Sequence, residues 1–102
     1  MALVKAQNLV SKNPVVVFSK SYCPYCKKVK QLLSSLGAKF TPIELDLEDD
    51  GDEIQSALAE WTKQRTVPNV FIGGQHVGGS DAMSSKHSAG ELVPLLKEAS
   101  AL

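Results

Sequence analysis

The only two cysteines of the chain, Cys23 and Cys26, lie in one short segment, SYCPYCKK. Two thiols at this spacing could form a structural disulfide, bind a metal ion or act as a redox pair. The structural disulfide is disfavoured, because a bridge that closes so short a loop removes little entropy from the unfolded chain. A zinc site is also disfavoured, since the only further histidine or cysteine ligands, His76 and His87, are not spaced like a zinc-binding pair.

The redox interpretation gives the two thiols different roles. Cys23 directly precedes Pro24, a residue favoured at the first position of a helix, so we expect Cys23 at the helix N-terminus. The free backbone N–H groups and the positive dipole end there favour the thiolate, which is the nucleophilic form of cysteine. Cys26 falls one turn later on the same face. It is therefore shielded but within reach of Cys23, as expected of a thiol that resolves a mixed disulfide.

Length and composition limit the class of protein. The chain has 102 residues, of which 43% are hydrophobic and 22% charged, and this is ordinary for one globular domain spanning residues 1–102. The 11 basic and 11 acidic side chains cancel, which argues against nucleic-acid binding. No apolar run is long enough to span a membrane, and the N-terminal residues do not resemble a signal peptide. We therefore expect a cytoplasmic monomer whose thiols stay reduced unless they are catalytic.

The apolar patterns predict the element order helix, β, α, β, α, β, β, α, α. Val15 to Phe18 form a continuous apolar run typical of a strand buried on both faces. The second strand contains Pro42, which restricts it to a sheet edge. Gly73-Gly74 predicts a hairpin between the last two strands, because tight hairpin turns need positive φ. Together with a parallel βαβ unit, this gives an α/β fold with a four-stranded mixed sheet and helices on both faces.

Two helix starts carry the spacing of a capping box. Asp50 with Glu53 precedes the third predicted helix, and Ser88 with Glu91 precedes the last one. Pro94 conflicts with a regular helix that begins at Ala89, because proline removes an interior backbone hydrogen bond. We therefore expect either a kink or a helix start nearer Glu91.

Two distant segments could complete a site around the thiols. Val67-Pro68 precedes a strand, and a cis peptide bond there would turn the Val67 backbone toward the thiols, where an extended peptide could pair with it. In GGSD, residues 78 to 81, glycines permit close approach and a helix start suits a carboxylate. Asp81 suits an ammonium group, although Ser80 and Asp81 could instead merely cap the helix.

The ligand that fits these features has an amino-acid end, a central thiol and a second carboxylate. Lys20 and Gln64 are candidates to hold that second carboxylate. Glutathione has this layout, with its thiol falling between the two ends, near Cys23 and the Val67 backbone.

Three segments, VVVFSKSYCPYC, QRTVPNVFIGG and GGSD, follow each other as they do in a known family. In them the chain resembles the dithiol Cys-Pro-Tyr-Cys class of glutaredoxins, and it is most similar to the plant members. The resemblance implies a thioredoxin-like fold and a glutathione-dependent thiol–disulfide oxidoreductase. Such an enzyme reduces protein–glutathione mixed disulfides and protein disulfides, with Cys23 as nucleophile, Cys26 as resolving thiol, glutathione as reductant and no metal.

The resemblance also implies a set of glutathione-binding residues. These are Lys20, Tyr25, Gln64, Thr66, Val67, Pro68, Gly79, Ser80 and Asp81. Many relatives carry a second acid where this chain has Ala82, and its absence would weaken the binding of the ammonium group. The alternative function is a [2Fe–2S] cluster carrier or sensor that forms a glutathione-bridged dimer. Pro24 argues against it, because proline stiffens the loop at a position where cluster-binding relatives favour a small residue.

Overall fold

The computed structural model describes all 102 residues, Met1–Leu102, as five α-helices, one 3-10 helix and four strands. In chain order they are α1 (Ala2–Lys12), β1 (Val15–Ser19), α2 (Pro24–Ser35), β2 (Thr41–Glu44), the 3-10 helix (Leu45–Leu47), α3 (Gly51–Thr62), β3 (Asn69–Ile72), β4 (Gln75–Gly78), α4 (Ser80–Ser88) and α5 (Leu92–Glu98). No helix combines the length and the apolar character needed to cross a membrane. The predicted element order is confirmed.

The four strands form one mixed sheet in the order β2-β1-β3-β4. β1 runs parallel to β2 and antiparallel to β3, and β3 pairs antiparallel with β4 through the predicted hairpin. All residues of β1 are buried, as the apolar run predicted. Pro42 lies in β2 at the edge of the sheet, where its missing N–H group costs no ladder hydrogen bond.

The sheet separates two hydrophobic clusters, because successive side chains of a strand point to opposite faces. Val15 and Val17 belong to one cluster, together with residues of α2, α4 and α5. Val16 and Phe18 belong to the other, together with residues of α1 and α3. β1 is therefore fixed between two helical layers, and its C-terminal end leads directly into the segment that carries the thiols.

The capping box predicted for α3 is wrong. Asp50 is the residue before α3, but its side chain makes no capping hydrogen bond. Its two carboxylate oxygens instead accept from Lys5 Nζ at 2.9 and 3.1 Å. The ammonium group on α1 outcompetes the local backbone for Asp50, and only the tertiary packing of α1 beside α3 brings that competitor near.

The capping box predicted at Ser88 is also wrong. Ser88 is the last residue of α4, and α5 begins at Leu92 after Glu91, whose side chain makes no capping bond. The start near Glu91 agrees with the effect expected from Pro94. This proline lies in the first turn of α5, where its missing N–H group breaks no helical hydrogen bond.

Candidate active site

Cys23 is the N-cap of α2, and Pro24 is the first residue of that helix, as predicted. The backbone N–H of Cys23 donates to the carbonyl of Lys20 at 3.0 Å, which fixes the turn between β1 and α2. The backbone N–H of Cys26 donates to Cys23 Sγ at 3.2 Å. The partly exposed sulfur of Cys23 thus sits at the positive end of the helix with a hydrogen-bond donor aimed at it.

Cys26 lies one turn deeper in α2 and is fully buried. Burial, together with the hydrogen bond with Cys23, raises the pKa of the Cys26 thiol to about 11, although the Lys20 backbone and the Ser19 hydroxyl act in the opposite direction. Cys26 therefore stays a thiol at neutral pH. The two cysteines differ in exposure, as their spacing predicted.

The segment before β3 faces these thiols. The Val67–Pro68 peptide bond is cis, and the carbonyl oxygen of Val67 lies 3.9 Å from Cys23 Sγ. The backbone N–H of Val67 pairs with no other backbone group. The Val67 backbone, which is available for pairing with a ligand, therefore lies beside the partly exposed sulfur of Cys23, as expected from the sequence.

Gln64 braces the loop between α3 and β3. Its Nε2 donates to the carbonyl oxygens of Thr66 at 3.1 Å and Pro68 at 2.9 Å. Its backbone N–H donates to Thr62 Oγ1 at 3.2 Å, which ties the loop to the end of α3. Both protons of the side-chain amide are thus engaged by the loop, so Gln64 can contact a carboxylate only by exchanging one of these bonds.

A cavity of about 780 Å³ opens beside Val67. Its lining includes eight of the nine residues predicted to bind glutathione: Tyr25, Gln64, Thr66, Val67, Pro68, Gly79, Ser80 and Asp81. Lys20 is not among the lining residues. Its charge instead helps to lower the pKa of Asp46, a shift that comes mainly from hydrogen bonds with Ser21.

The sequence reasoning did not predict four lining residues as ligand contacts, His76, Val77, Gly78 and Ala82, although it had placed Gly78 in the GGSD segment and had noted Ala82 as the position of a missing acid. His76 shows why the pattern did not reveal them. It occupies an exposed position on β4, yet its Nε2 lies 2.7 Å from Oδ1 of the buried Asn69, and burial of the ring lowers its pKa. The sequence signal that could have revealed these four residues is their position, because they directly precede or follow the predicted Gly79–Asp81 segment.

The N-terminus of α4 forms one wall of the cavity. Gly79 is the N-cap, and no side chain makes a capping hydrogen bond, so the alternative that Ser80 and Asp81 merely cap this helix is wrong. A Cβ atom on Gly79 would lie 3.4 Å from the Pro68 carbonyl oxygen and 3.7 Å from Gln64 Nε2. Glycine therefore lets the α4 wall approach the loop wall closely. Free backbone N–H groups and the Asp81 carboxylate together offer partners to both ends of an amino acid.

Metal ligands are sparse around the thiols. No group of three or more histidine, cysteine, aspartate or glutamate side chains lies close enough together to hold a metal ion. His76 bonds to Asn69, as described above, and His87 lies in α4.

Comparison with known proteins identifies the family. The glutaredoxin family model matches residues 15–77. The chain belongs to the glutaredoxin family. It is 67% identical to a glutaredoxin of Ricinus communis over 102 residues, which cover 100% of both chains. It is 65% identical to glutaredoxin-C2 of Arabidopsis thaliana over 100% of this chain and 92% of the relative.

A solved glutaredoxin has nearly the same backbone. The crystal structure of the buckwheat glutaredoxin–glutathione complex is 62% identical, with a TM-score of 0.99 over 100% of this chain and 93% of the other. The thioredoxin-like fold and the similarity to plant glutaredoxins are thereby confirmed. Glutaredoxins are generally oxidoreductases, which agrees with a pair of neighbouring thiols that differ in exposure.

Proposed function

We propose that this glutaredoxin is a glutathione-dependent thiol–disulfide oxidoreductase that reduces protein–glutathione mixed disulfides and protein disulfides. The observation that carries the proposal is the position of the Cys23 sulfur. It is accessible, it accepts the Cys26 N–H at 3.2 Å, and it lies 3.9 Å from the Val67 carbonyl beside the cavity. The buckwheat relative, whose backbone is nearly the same, was solved in complex with glutathione.

Glutathione would lie across the cavity. The free N–H and C=O groups of Val67 would pair with the backbone of its cysteine residue, as in the addition of a short strand. Its γ-glutamyl end would take its carboxylate to the N–H groups at Gly79 and Ser80 and its ammonium group to Asp81. The glycine carboxylate would lie toward Tyr25, Gln64 and Thr66, with Lys20 adding long-range attraction.

The first reaction needs only Cys23. Its thiolate attacks the glutathione sulfur of a mixed disulfide, a new S–S bond forms, and the electron pair leaves with the substrate protein's sulfur, which takes up a proton. A second glutathione thiolate then attacks the sulfur of the bound glutathione. This releases glutathione disulfide and restores the Cys23 thiolate.

Protein disulfides require the second thiol. Cys23 attacks one sulfur of the substrate and forms a mixed disulfide with it. Cys26 then loses its proton and attacks Cys23 Sγ, so that a Cys23–Cys26 disulfide forms and the substrate leaves as a reduced thiol. Two molecules of glutathione return this disulfide to two thiols and become glutathione disulfide.

The experiment is a glutathione-coupled assay on the wild type, Cys23→Ser and Cys26→Ser. With a glutathionylated substrate, Cys23→Ser should lose all activity and Cys26→Ser should keep most of it, because the bond from the Cys26 backbone survives the substitution. With a protein disulfide as substrate, both variants should fail. Equal losses in both variants on the glutathionylated substrate would reject this division of roles.

The cluster-carrier alternative depends on ligands from outside the chain. Cys23 is the one accessible thiol, and no group of side chains within this protein completes a metal site. A [2Fe–2S] cluster would therefore need Cys23 of a second copy and two glutathione thiols. Anaerobic reconstitution with iron, sulfide and glutathione tests this alternative, and a coloured dimer would support it.

We also propose that the protein acts as a cytoplasmic monomer. The compartment is supported by the cysteine content, because two thiols in 102 residues suit a reducing environment better than a disulfide-rich secreted fold. Light scattering after size exclusion should give the mass of a single chain, 11.0 kDa, under reducing conditions. A fluorescent fusion of the chain in cells would test the compartment, and a dimeric mass or an organellar signal would contradict the proposal.

A further inference from the structure

The cavity beside Val67 has two walls that belong to different elements. The loop wall consists of residues 63 to 68, between α3 and β3, and the α4 wall is the N-terminus of α4, directly after β4. The β3–β4 hairpin joins the walls, because the loop leads into β3 and β4 leads into α4. The width of the cavity therefore depends on how this hairpin is held at the end that faces the cavity.

The pairing of the hairpin is irregular at that end. Phe71 of β3 pairs with His76 of β4. The next pair joins Val70 to Gly78, so Val77 is an extra residue in β4, and it lines the cavity. An extra residue of this kind interrupts the backbone ladder and bends the strand that contains it. The ladder alone therefore fixes the start of α4 less firmly than a regular hairpin would.

One side-chain hydrogen bond crosses the hairpin at this irregularity. His76 Nε2 lies 2.7 Å from Oδ1 of Asn69, the first residue of β3. Asn69 is buried, whereas His76 lines the cavity. Every buried side-chain nitrogen and oxygen of this protein has a hydrogen-bond partner, and the imidazole is the partner of Asn69 Oδ1.

The direction of this bond follows from the protons around it. The Thr62 hydroxyl has one proton, which it donates to the Leu58 carbonyl at 2.8 Å. Its oxygen then accepts from Asn69 Nδ2 at 3.3 Å. Because Asn69 uses its Nδ2 group in this way, it presents its oxygen to His76, and the bond requires a proton on His76 Nε2. Neutral His76 is therefore the Nε2–H tautomer.

The Thr62 hydroxyl also fastens both ends of the loop wall. At the start of the loop, it accepts from the backbone N–H of Gln64 at 3.2 Å. At the end of the loop, it accepts from Asn69, the residue directly after Pro68. His76 orients the Asn69 amide for this second bond and belongs to the strand that leads into α4. One side chain thereby connects the loop wall to the α4 wall.

We infer that His76, through its Nε2–H bond to Asn69, holds the two walls of the cavity at the separation that glutathione requires. His76 is a positioning residue in this role, because the bond acts on Asn69 and not on the ligand. The inference rests on the proposed binding of glutathione in this cavity. It concerns the affinity for glutathione only, since His76 takes no part in the bond changes at Cys23.

The experiment compares His76→Leu and His76→Gln with the wild type in the glutathione-coupled assay, with a glutathionylated peptide as substrate. Leucine removes the donor, and the loss of one neutral hydrogen bond changes an equilibrium constant by roughly fivefold. His76→Leu should therefore raise the KM for the peptide about fivefold and leave kcat near that of the wild type. Glutamine carries an N–H donor about as far from the backbone as the imidazole Nε2, so His76→Gln should restore most of the binding.

Three further measurements separate this role from a general loss of stability. His87→Leu removes the other histidine, which is exposed on α4 and outside the lining of this cavity, so KM should stay at the wild-type value. In an Asn69→Ala background, His76→Leu should change KM by less than about twofold, because the acceptor is gone. NMR of the imidazole nitrogens at pH 8 should show His76 as the Nε2–H tautomer.

An unchanged KM in His76→Leu would overturn the inference. Equal losses in the leucine and glutamine variants, an equal loss in His87→Leu, or an Nδ1–H tautomer of His76 would overturn it too. A wild type without turnover would instead reject the proposed function. In that case hydrogen exchange at the Gln64 backbone amide, which bonds to Thr62, decides the role of His76. There His76→Leu must speed the exchange and His76→Gln must not, and equal rates in the wild type and both variants would refute the inference.

Discussion

Alkaline pH should destabilise this glutaredoxin through Cys26, and Cys26→Ser should remove that effect. The thiol has its ordinary pKa of 9.0 in the unfolded chain and a pKa of about 11 in the folded protein, mainly because it is buried. Below pH 9 both states hold the proton, so the contribution to stability is fully present. Between pH 9 and 11 only the folded state holds it, so the free energy of unfolding falls as the pH rises.

The size of the effect follows from the shift. Two pKa units correspond to about 2.7 kcal/mol. Solvent beside the partly exposed Cys23 screens part of this, and we expect a loss of roughly 1–2 kcal/mol. Every other ionisable side chain is the same in both proteins. The difference between wild type and Cys26→Ser therefore isolates the thiol.

The assay is urea denaturation of both proteins at pH 8 and at pH 10.5, with a phosphine reductant and without oxygen. The change in packing caused by Cys26→Ser is the same at every pH, so the informative quantity is how the difference in stability between the two proteins changes with pH. Wild type should lose roughly 1–2 kcal/mol relative to the variant over this interval. A difference that stays constant with pH would refute the claim that burial raises the pKa of Cys26.

Three further substitutions test the cavity and the packing. Asp81→Asn should raise the KM for glutathione by roughly two- to fivefold with little change in kcat, because an exposed charge pair contributes up to about 1 kcal/mol. Steady-state kinetics at varied glutathione concentration check this, and an unchanged KM would exclude Asp81 from binding. Gly79→Ala places a methyl group 3.4 Å from the Pro68 carbonyl at an ordinary φ of −100°, so it too should raise that KM while the unfolding midpoint stays near that of wild type. Gly51→Ala should destabilise the fold by more than about 3 kcal/mol, because the added Cβ would lie 1.8 Å from the Leu45 carbonyl oxygen. A denaturation curve like that of the wild type would contradict this close approach.

The fold was predictable because its signals are local. The apolar run of β1, the glycine pair of the hairpin and the proline at the start of α2 each specify one element through nearby backbone geometry. The two capping boxes failed although their spacing was right. For Asp50 the reason is a competitor on α1, Lys5, which no pattern around Asp50 could reveal.

The residues of the candidate site also divide into those that local sequence signals predict and those that they do not. Cys23 and the residues around Val67 could be predicted, because a motif places each of them at a specific turn or helix end. The contact between the buried Ser19 hydroxyl and Glu44 could not be predicted, since the two residues are 25 positions apart and meet only through the parallel pairing of β1 with β2. The hydrogen bonds from the Gln64 side chain to its own loop could not be predicted from the sequence either, because they go to backbone carbonyl groups, which every residue has.

The hydrogen bond from the Cys26 amide to Cys23 Sγ separates two contributions of a single residue. The side chain of Cys26 offers the second thiol, while its backbone supports the first one. Any replacement of Cys26 except proline keeps that backbone donor. A single codon change can therefore turn a two-thiol protein into a one-thiol protein while the hydrogen bond to the Cys23 sulfur remains. Evolution can therefore replace the second thiol by another small side chain that fits the buried position, and the donor to the first sulfur is kept, whereas proline would remove it.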